Sequence, residues 1–292
     1  MRRVCVFLLI LHTILLISCE KPIVAEGESS ATSVHASLTL SIYQLEQTSF
    51  SSLTRSTLSD ICSRLNFAVY DLDGNRLKQV NQKVGDNNFG TATFELPNGS
   101  YQMVVLAHSS DGNPTMTNPS KIQFTNAQSY SETFLYYTIV SIGDEAQTLA
   151  LSLRRIVALC RFVVSDAIPT GVARLEFTYK GGSGHFDAKT GFGVTKSTQV
   201  VKFNVREGQQ QTQYDLYTFL HNTEDTIHLN VVAYDTADHS LFEREFDIPM
   251  EQNKVTWMTG EFFTGVTPTT SQSFTTTITI NNAWSGEQHL TY

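Results

Sequence analysis

With 292 residues, 41% of them hydrophobic and 16% charged, the chain has the composition of a folded protein and room for more than one domain. Its 20 basic against 28 acidic residues leave a net charge of −8, and no lysine or arginine cluster stands out beyond Arg154-Arg155. That balance excludes a nucleic-acid or anionic-membrane footprint, which needs a basic stripe.

In chain order the compartment comes first. Met1-Arg2-Arg3 is a short basic segment, and Val4 to Ile17 is an apolar run broken only by His12 and Thr13. The run falls short of the about 20 residues that span a bilayer and has the length of an export signal. It ends in Leu16-Ile17-Ser18-Cys19, which resembles the bacterial lipobox. That resemblance implies diacylglycerol transfer to the Cys19 thiol, cleavage between Ser18 and Cys19, and acylation (palmitate or a similar chain) of the new amino group. At about 0.8 kcal/mol per buried CH₂, one acyl chain holds marginally and two or more hold stably. Residues 1–18 are read as a lipoprotein signal peptide. Residues 19–33, rich in small and polar types, are read as a lipidated flexible tether. Signal removal takes Arg2 and Arg3 and no acid, leaving 18 basic against 28 acidic residues, a net charge of −10.

From there the dominant period is two, the signature of strands. Val34, Ala36, Leu38, Leu40 and Ile42 alternate with polar residues, and the pattern returns at 65–69, 101–107, 175–179, 227–233, 242–248 and 255–257. A last alternating run, Phe274, Thr276, Ile278 and Ile280, follows a Thr/Ser/Pro-rich stretch at 264–273. Turn signals separate the runs at Asp73-Gly74-Asn75, Pro97-Asn98-Gly99, Asp111-Gly112-Asn113-Pro114 and 180–184. Helical spacing is weak and confined to Leu53–Ile61 and Leu216–His221. The fold class is therefore all-β, built from short strands that point to sandwiches. A polar turn at 143–147 divides the chain into an N-terminal β-sandwich over 34–145 and a C-terminal one over 146–292. The block 149–164 is apolar on both parities, so it packs on both sides or bridges the two.

Chemical motifs are sparse. Cys62 and Cys160 both lie in apolar surroundings, where either a disulfide of an exported protein or two buried thiols would fit. Asp71-Leu72-Asp73-Gly74-Asn75 reads as a hairpin turn, since it lacks the downstream glutamate of a calcium loop. The eight histidines are scattered without metal-ligand spacing. The glycine-rich 180–184 lacks the Lys-Ser/Thr of a phosphate loop, and no Gly-x-Ser-x-Gly elbow occurs. Glu243 and Glu245 share a solvent-facing parity. No catalytic set, metal site, cofactor or small-molecule substrate is expected. Trp257 shares its parity with Val255 and is expected in the core.

Several segments together resemble the Bacteroidetes fimbrillin superfamily. They are Leu65-Asn66-Phe67-Ala68-Val69-Tyr70-Asp71 with its Asp73-Gly74 turn, Leu96-Pro97-Asn98-Gly99-Ser100-Tyr101, and Arg154-Arg155-Ile156-Val157-Ala158-Leu159-Cys160-Arg161-Phe162. Within the superfamily the likeness is to anchor and accessory lipoproteins of the major and minor fimbriae. It implies two transthyretin-like β-sandwich domains in tandem and assembly by strand exchange. In shaft subunits of that superfamily an Arg-specific protease cuts the loop after the first strand, that strand leaves, and a neighbour's strand fills the groove. On this chain the matching first strand is Val34, Ala36, Leu38, Leu40 and Ile42. The matching protease-processing position is Arg55, in the loop Thr48 to Ser59. Phe274, Thr276, Ile278 and Ile280 make a second candidate exchange strand. An anchor must keep its lipidated N-terminus joined to its body, which speaks against obligate cutting at Arg55. Asp225-Thr226-Ile227 and Asp235-Thr236-Ala237 resemble the O-glycosylation motif of exported Bacteroidetes proteins, implying Thr226 and Thr236 as acceptors.

The expected protein is a non-enzymatic lipoprotein of the outer membrane and cell surface. Its membrane contact is the Cys19 lipid, and its partners are other fimbrial subunits docked by strand complementation in support of adhesion. Nucleic acid is not among them. A surface glycan-binding lipoprotein of a nutrient-uptake system is the alternative.

Overall fold

The computed structural model describes residues 35–46, 48–49, 58–264 and 284–292. Ser18, Cys19, Val34, Arg55 and the run Phe274 to Ile280 lie outside the described residues.

Alternation drives the local structure. The first sheet system holds β1 (His35–Leu45), β2 (Thr48–Ser49), β3 (Arg64–Tyr70), β4 (Arg76–Lys83), β5 (Thr91–Pro97) and β6 (Gly99–His108). It also holds β8 (Thr133–Ile142) and β9 (Gln147–Arg155), with β7 (Ile122–Gln123) in the loop between β6 and β8. The strand order is β2-β1-β9-β8-β6-β3-β4, with β5 also on β1. Strand β9 runs parallel to β1 and meets β8 only at Phe134↔Arg155 and Leu135↔Arg154. Two layers result, β5-β1-β9 facing β8-β6-β3-β4. Their core contains Leu38, Leu40, Phe67, Phe94, Met103, Phe134 and Leu151.

After Arg155 the pairing changes sheets. Strands β14 (Thr212–Thr218), β10 (Ala158–Val164), β17 (Val255–Gly260) and β18 (Glu287–Thr291) form one four-stranded sheet. Strands β13 (Gln199–Asn204), β11 (Arg174–Lys180), β15 (Glu224–Tyr234) and β16 (Ser240–Glu251) form the other. Between them lies a second core centred on Phe162, whose ring meets Phe177, Phe246, Phe262 and Tyr292 at centroid distances of 5.5, 5.4, 6.4 and 4.7 Å. The two-residue β12 (His185–Phe186) pairs with β7 and so links the two sheet systems. A third cluster, including Tyr70, Leu106, Phe124, Ile156, Phe186, Phe219 and Trp284, fills the junction. The block around 149–164 thus contains both β9, paired to the first strand, and β10, central to the second sheet pair. The sheet change falls between Arg155 and Ala158, later than the turn at 143–147.

The protein is all-β, as its periodicity indicates, with one local difference. Leu58–Ile61 of the 53–61 segment is a single helical turn, and residues 53–57 lie outside the described residues. Residues 216–221 form no helix, because Leu216 to Thr218 complete β14 against β10. The glycine-rich turn has a packing cause: a Cβ on Gly182 would stand 2.0 Å from Thr218 Oγ1, and Gly181 sits at φ +103°. In the β3–β4 turn Gly74 takes φ +89°, and the Asp71 carboxylate accepts from Asn75 N at 2.8 Å and Nδ2 at 2.9 Å. Those contacts make the Asp-Gly segment a side-chain-capped hairpin.

Candidate strand-exchange site

Strand β1 is the described part of the first candidate exchange strand. Its inner residues Ala36, Leu38 and Leu40 are 4%, 0% and 0% exposed, and each fully buried leucine stabilises the fold by about 1.5–3 kcal/mol. Both of its edges are paired. Seven positions, His35↔Pro97 to Ser41↔Thr91, oppose β5 antiparallel, and seven more, Leu38↔Gln147 to Leu45↔Leu153, oppose β9 in parallel. On the outer face Thr39 and Ser41 meet Thr93 and Thr91 through their hydroxyls at 3.1 and 3.3 Å. The alternation breaks at a bulge between Ile42 and Gln44, where Ile42 is half-buried and Tyr43 points outward.

The end of β1 is pinned to the junction. Glu46 N donates to Leu153 O at 2.7 Å, and its carboxylate accepts from Arg155 N at 2.7 Å. Arg155 itself is 3% exposed. Its Nε donates to Glu132 at 2.7 Å and its Nη1 to Asn253 Oδ1 at 2.8 Å. The guanidinium lies over Phe134 at 4.8 Å and over Trp284 at 4.2 Å. One buried cation thus holds the start of β8, the turn before β17 and the segment leading into β18. Arg154 lies on the other parity, where its Nη2 donates to Thr190 O at 2.6 Å.

Structurally, β1 is a wedge between β5 and β9. Taken away, it would leave two rows of unpaired N–H and C=O groups on β5 and β9 and a slot lined by Phe94, Leu96 and Leu151. Only an extended segment with apolar residues at alternate positions could satisfy both. The far side of β5 is tied by side chains of β4: Lys78 Nζ donates to Glu95 O at 2.6 Å and Gln82 Nε2 to Thr91 O at 2.7 Å.

The other sequence candidates fall elsewhere. Thr226 is exposed on β15 and Thr236 is exposed in the β15–β16 turn. The acids of both motifs work in turns: Asp225 accepts from His221 N and Asn222 N, and Asp235 from Ala237 N and His239 N. Cys62 and Cys160 are free and buried in separate cores, so the disulfide reading is set aside. Burial pushes the Cys62 thiol up to about 12 and the Cys160 thiol higher still. Trp257 keeps its parity with Val255 on the face of its sheet turned away from the second core, where Val255 is buried in the junction cluster and Trp257 is half-buried against it. Its ring is enclosed within the row Asp215–Arg161–Trp257–His289: Arg161 lies 4.9 Å from one face, and His289 stacks at 5.5 Å with planes 10° apart. Arg161 is held in turn by a two-point contact to Asp215, 2.8 Å at each oxygen. His228 meets Asp247 at 2.9 Å on the solvent face of β15 and β16. Among the described residues no three His, Cys, Asp or Glu side chains gather into a metal-binding set. The resemblance segment holds Arg155 and the alternating run 255–257 holds Trp257, but neither signal gives the contacts these residues make, and strand β18 carries no sequence motif.

These features define a β-sandwich protein with a central, doubly paired first strand. Residues 28–291 match a family of unknown function, DUF6562, and the chain belongs to that family. No curated protein matches the sequence. Among solved structures, a candidate adhesin from Bacteroides ovatus is similar at 14% identity and a TM-score of 0.50, over 73% of this chain and 82% of that one. The fimbrial anchor protein Mfa2 from Porphyromonas gingivalis aligns at 11% identity and a TM-score of 0.42, covering 72% and 82%. A candidate polysaccharide-binding protein from Bacteroides thetaiotaomicron aligns at 14% and 0.45, covering 71% and 79%. The Bacteroides ovatus likeness is one of fold.

Proposed function

We propose that this protein is a lipid-anchored accessory or anchor subunit of a surface fimbria, tethered through Cys19 and joined to neighbouring subunits by β-strand exchange. The observation that carries the reading is the seat of β1, an alternating apolar strand paired along both edges at the centre of its layer. The sequence adds the lipobox at Leu16-Ile17-Ser18-Cys19. On this reading the N-terminal and C-terminal sandwiches act as two domains of transthyretin-like form. The neighbour's strand takes the β1 groove or receives Phe274 to Ile280. Exposed Thr226 and Thr236 serve as O-glycan acceptors. The role is non-enzymatic, and the protein sits at the outer membrane.

The test is mass analysis of the native protein's N-terminus together with a search for the chain in purified surface filaments. An acylated Cys19 and co-purification with filaments are expected, whereas a new terminus at Ser56 would make it a processed shaft-type subunit. Absence from the filaments overturns the reading. Trp257 does not favour the glycan-binding alternative, because both of its ring faces are covered.

A further inference from the structure

Strand β4 ends the order β2-β1-β9-β8-β6-β3-β4 and pairs only with β3. Val84 N donates to Ser63 O at 3.0 Å, one position beyond the pair Arg64↔Lys83. Antiparallel alternation then turns the main-chain groups of Gln82, Val80 and Lys78 toward β3 and those of Gln79 and Asn81 away from it. Lys83 belongs to the outward set, and its N–H does leave the ladder, donating to Asp86 Oδ2 at 2.8 Å. Among the described residues no partner meets the outward main-chain groups of Gln79 and Asn81.

The edges of β5, β13, β14 and β16 each carry a block. On β5, Thr91 O and Glu95 O accept from Gln82 Nε2 and Lys78 Nζ. On β13, Val200 N donates to Asn126 Oδ1 at 3.1 Å. On β14, Tyr217 O accepts from the Tyr179 hydroxyl at 2.9 Å and from Gln199 Nε2 at 3.2 Å. Strand β16 carries Pro249, which has no N–H. Strand β4 contains no proline, and its Arg76, Leu77, Lys78, Asn81 and Lys83 are exposed. Lysine on an edge strand ordinarily guards that edge. Here the Lys78 ammonium is drawn across to β5, 2.6 Å from Glu95 O, so it caps β5 and leaves β4 open.

Charge selects the occupant. Strand β4 carries Arg76, Lys78 and Lys83 and no acid. None of the three is in an ion pair among the described residues: Arg76 Nη1 donates to the neutral Gln79 Oε1 at 2.5 Å, and Lys78 reaches a carbonyl. Carboxylates in the flanking turns are engaged, Asp71 with Asn75 and Asp86 with the Lys83 main chain. A second copy of β4 on this edge would set three cations against three, which disfavours self-pairing. An acidic strand suits all three.

We propose that the outer edge of β4 docks an extended acidic segment of a partner polypeptide, which adds a strand through the main chain of Gln79 and Asn81 and sets carboxylates beside Arg76, Lys78 and Lys83. This site is separate from the β1 groove and needs neither the lipid nor the exchange of β1. The test uses the full chain and a labelled seven-residue peptide of alternating threonine and valine with glutamate at its third and fifth positions, read by fluorescence anisotropy. Binding should weaken about tenfold when both glutamates become lysine, and about fivefold in Lys83→Glu, an exposed position whose fold is checked by circular dichroism. It should be lost when one of the peptide's two alternate sets of amides is N-methylated, and amide exchange at Gln79 and Asn81 should slow in the complex. No binding at millimolar peptide, equal binding of the glutamate and lysine peptides, indifference to Lys83→Glu, or unchanged exchange at Gln79 and Asn81 overturns the proposal.

Discussion

The clearest energetic features belong to single residues whose contacts no motif foretells. Arg155 brings a charge into the junction with an ion pair, a hydrogen bond and two aromatic faces, so nearly every direction around its guanidinium is used. Removing the cation leaves Glu132 without it, so Arg155→Ala should cost about 3–5 kcal/mol in urea unfolding. Arg155→Lys should recover only part, because a point charge cannot reproduce the planar stack. His108 is buried against Phe124, at 5.0 Å, and its Nδ1 accepts from Ser110 N at 3.2 Å. The proton must therefore sit on Nε2, which donates to Asn66 Oδ1 at 2.8 Å. Burial, with Arg64 nearby, holds this imidazole down at about 3. In the unfolded chain it titrates near about 6.5. The neutral ring's contribution is complete above the unfolded value and fades as pH falls through the window toward about 3. Stability should drop between those limits with a slope approaching about 1.4 kcal/mol per pH unit, and His108→Gln should flatten it in urea midpoints measured at pH 7 and pH 4. The two thiols give a simpler check. Alkylation followed by mass should find Cys62 and Cys160 unreactive in the native protein and both modified in denaturant, since burial disfavours each thiolate.

Among the elements, β1 separates its faces sharply. Leu40→Ala, at a fully buried position between β5 and β9, should destabilise by about 2–5 kcal/mol. Tyr43→Ser, on the same strand but 54% exposed, should fall within about 0.5 kcal/mol of the parent, both read by thermal or urea unfolding. Period-two alternation made β1, β11 and β15 legible, because each buries mainly one face and the pleat forces every second side chain inward. Strands β3 and β6 are instead buried on both faces, one parity in the first core and the other in the junction. The same logic failed at 216–221, where spacing suggested a helical turn but the edge of β10 recruited Leu216 to Thr218 as strand. Strand β18 was not legible. Glu287-Gln288-His289-Leu290-Thr291 has little apolar alternation, and it becomes a strand because β17 offers an edge and Tyr292 a core partner.

At the scale of the whole molecule, the two sheet systems meet across a packed junction of their own, with Phe124, Phe186 and Phe219 at its centre. Trp284→Ala should disturb this junction and β18 together, because the indole touches Arg155 at the start of the segment. Hydrogen exchange is expected to speed up in Glu287 to Thr291 and around Asn253, while the amides of β3 and β6 keep their protection. The proposed lipid would act on the whole molecule as well. On that reading Cys19→Ser should abolish palmitate labelling and move the protein from the membrane fraction to the soluble fraction, since two or more acyl chains are needed for stable anchoring.

The amino-acid order by itself determined the strand-rich class, the inward faces of the long strands and the hairpin turns, because these follow from the two-residue pleat and from glycine and aspartate chemistry within a few positions. The tertiary structure alone decided that Arg155 is buried, that Trp257 lies outside its sheet between Arg161 and His289, that the pairing changes sheets after Arg155, and that the 287–291 segment closes the second sheet. Each of these depends on groups up to a hundred or more positions apart meeting in space, a coincidence that local periodicity does not encode.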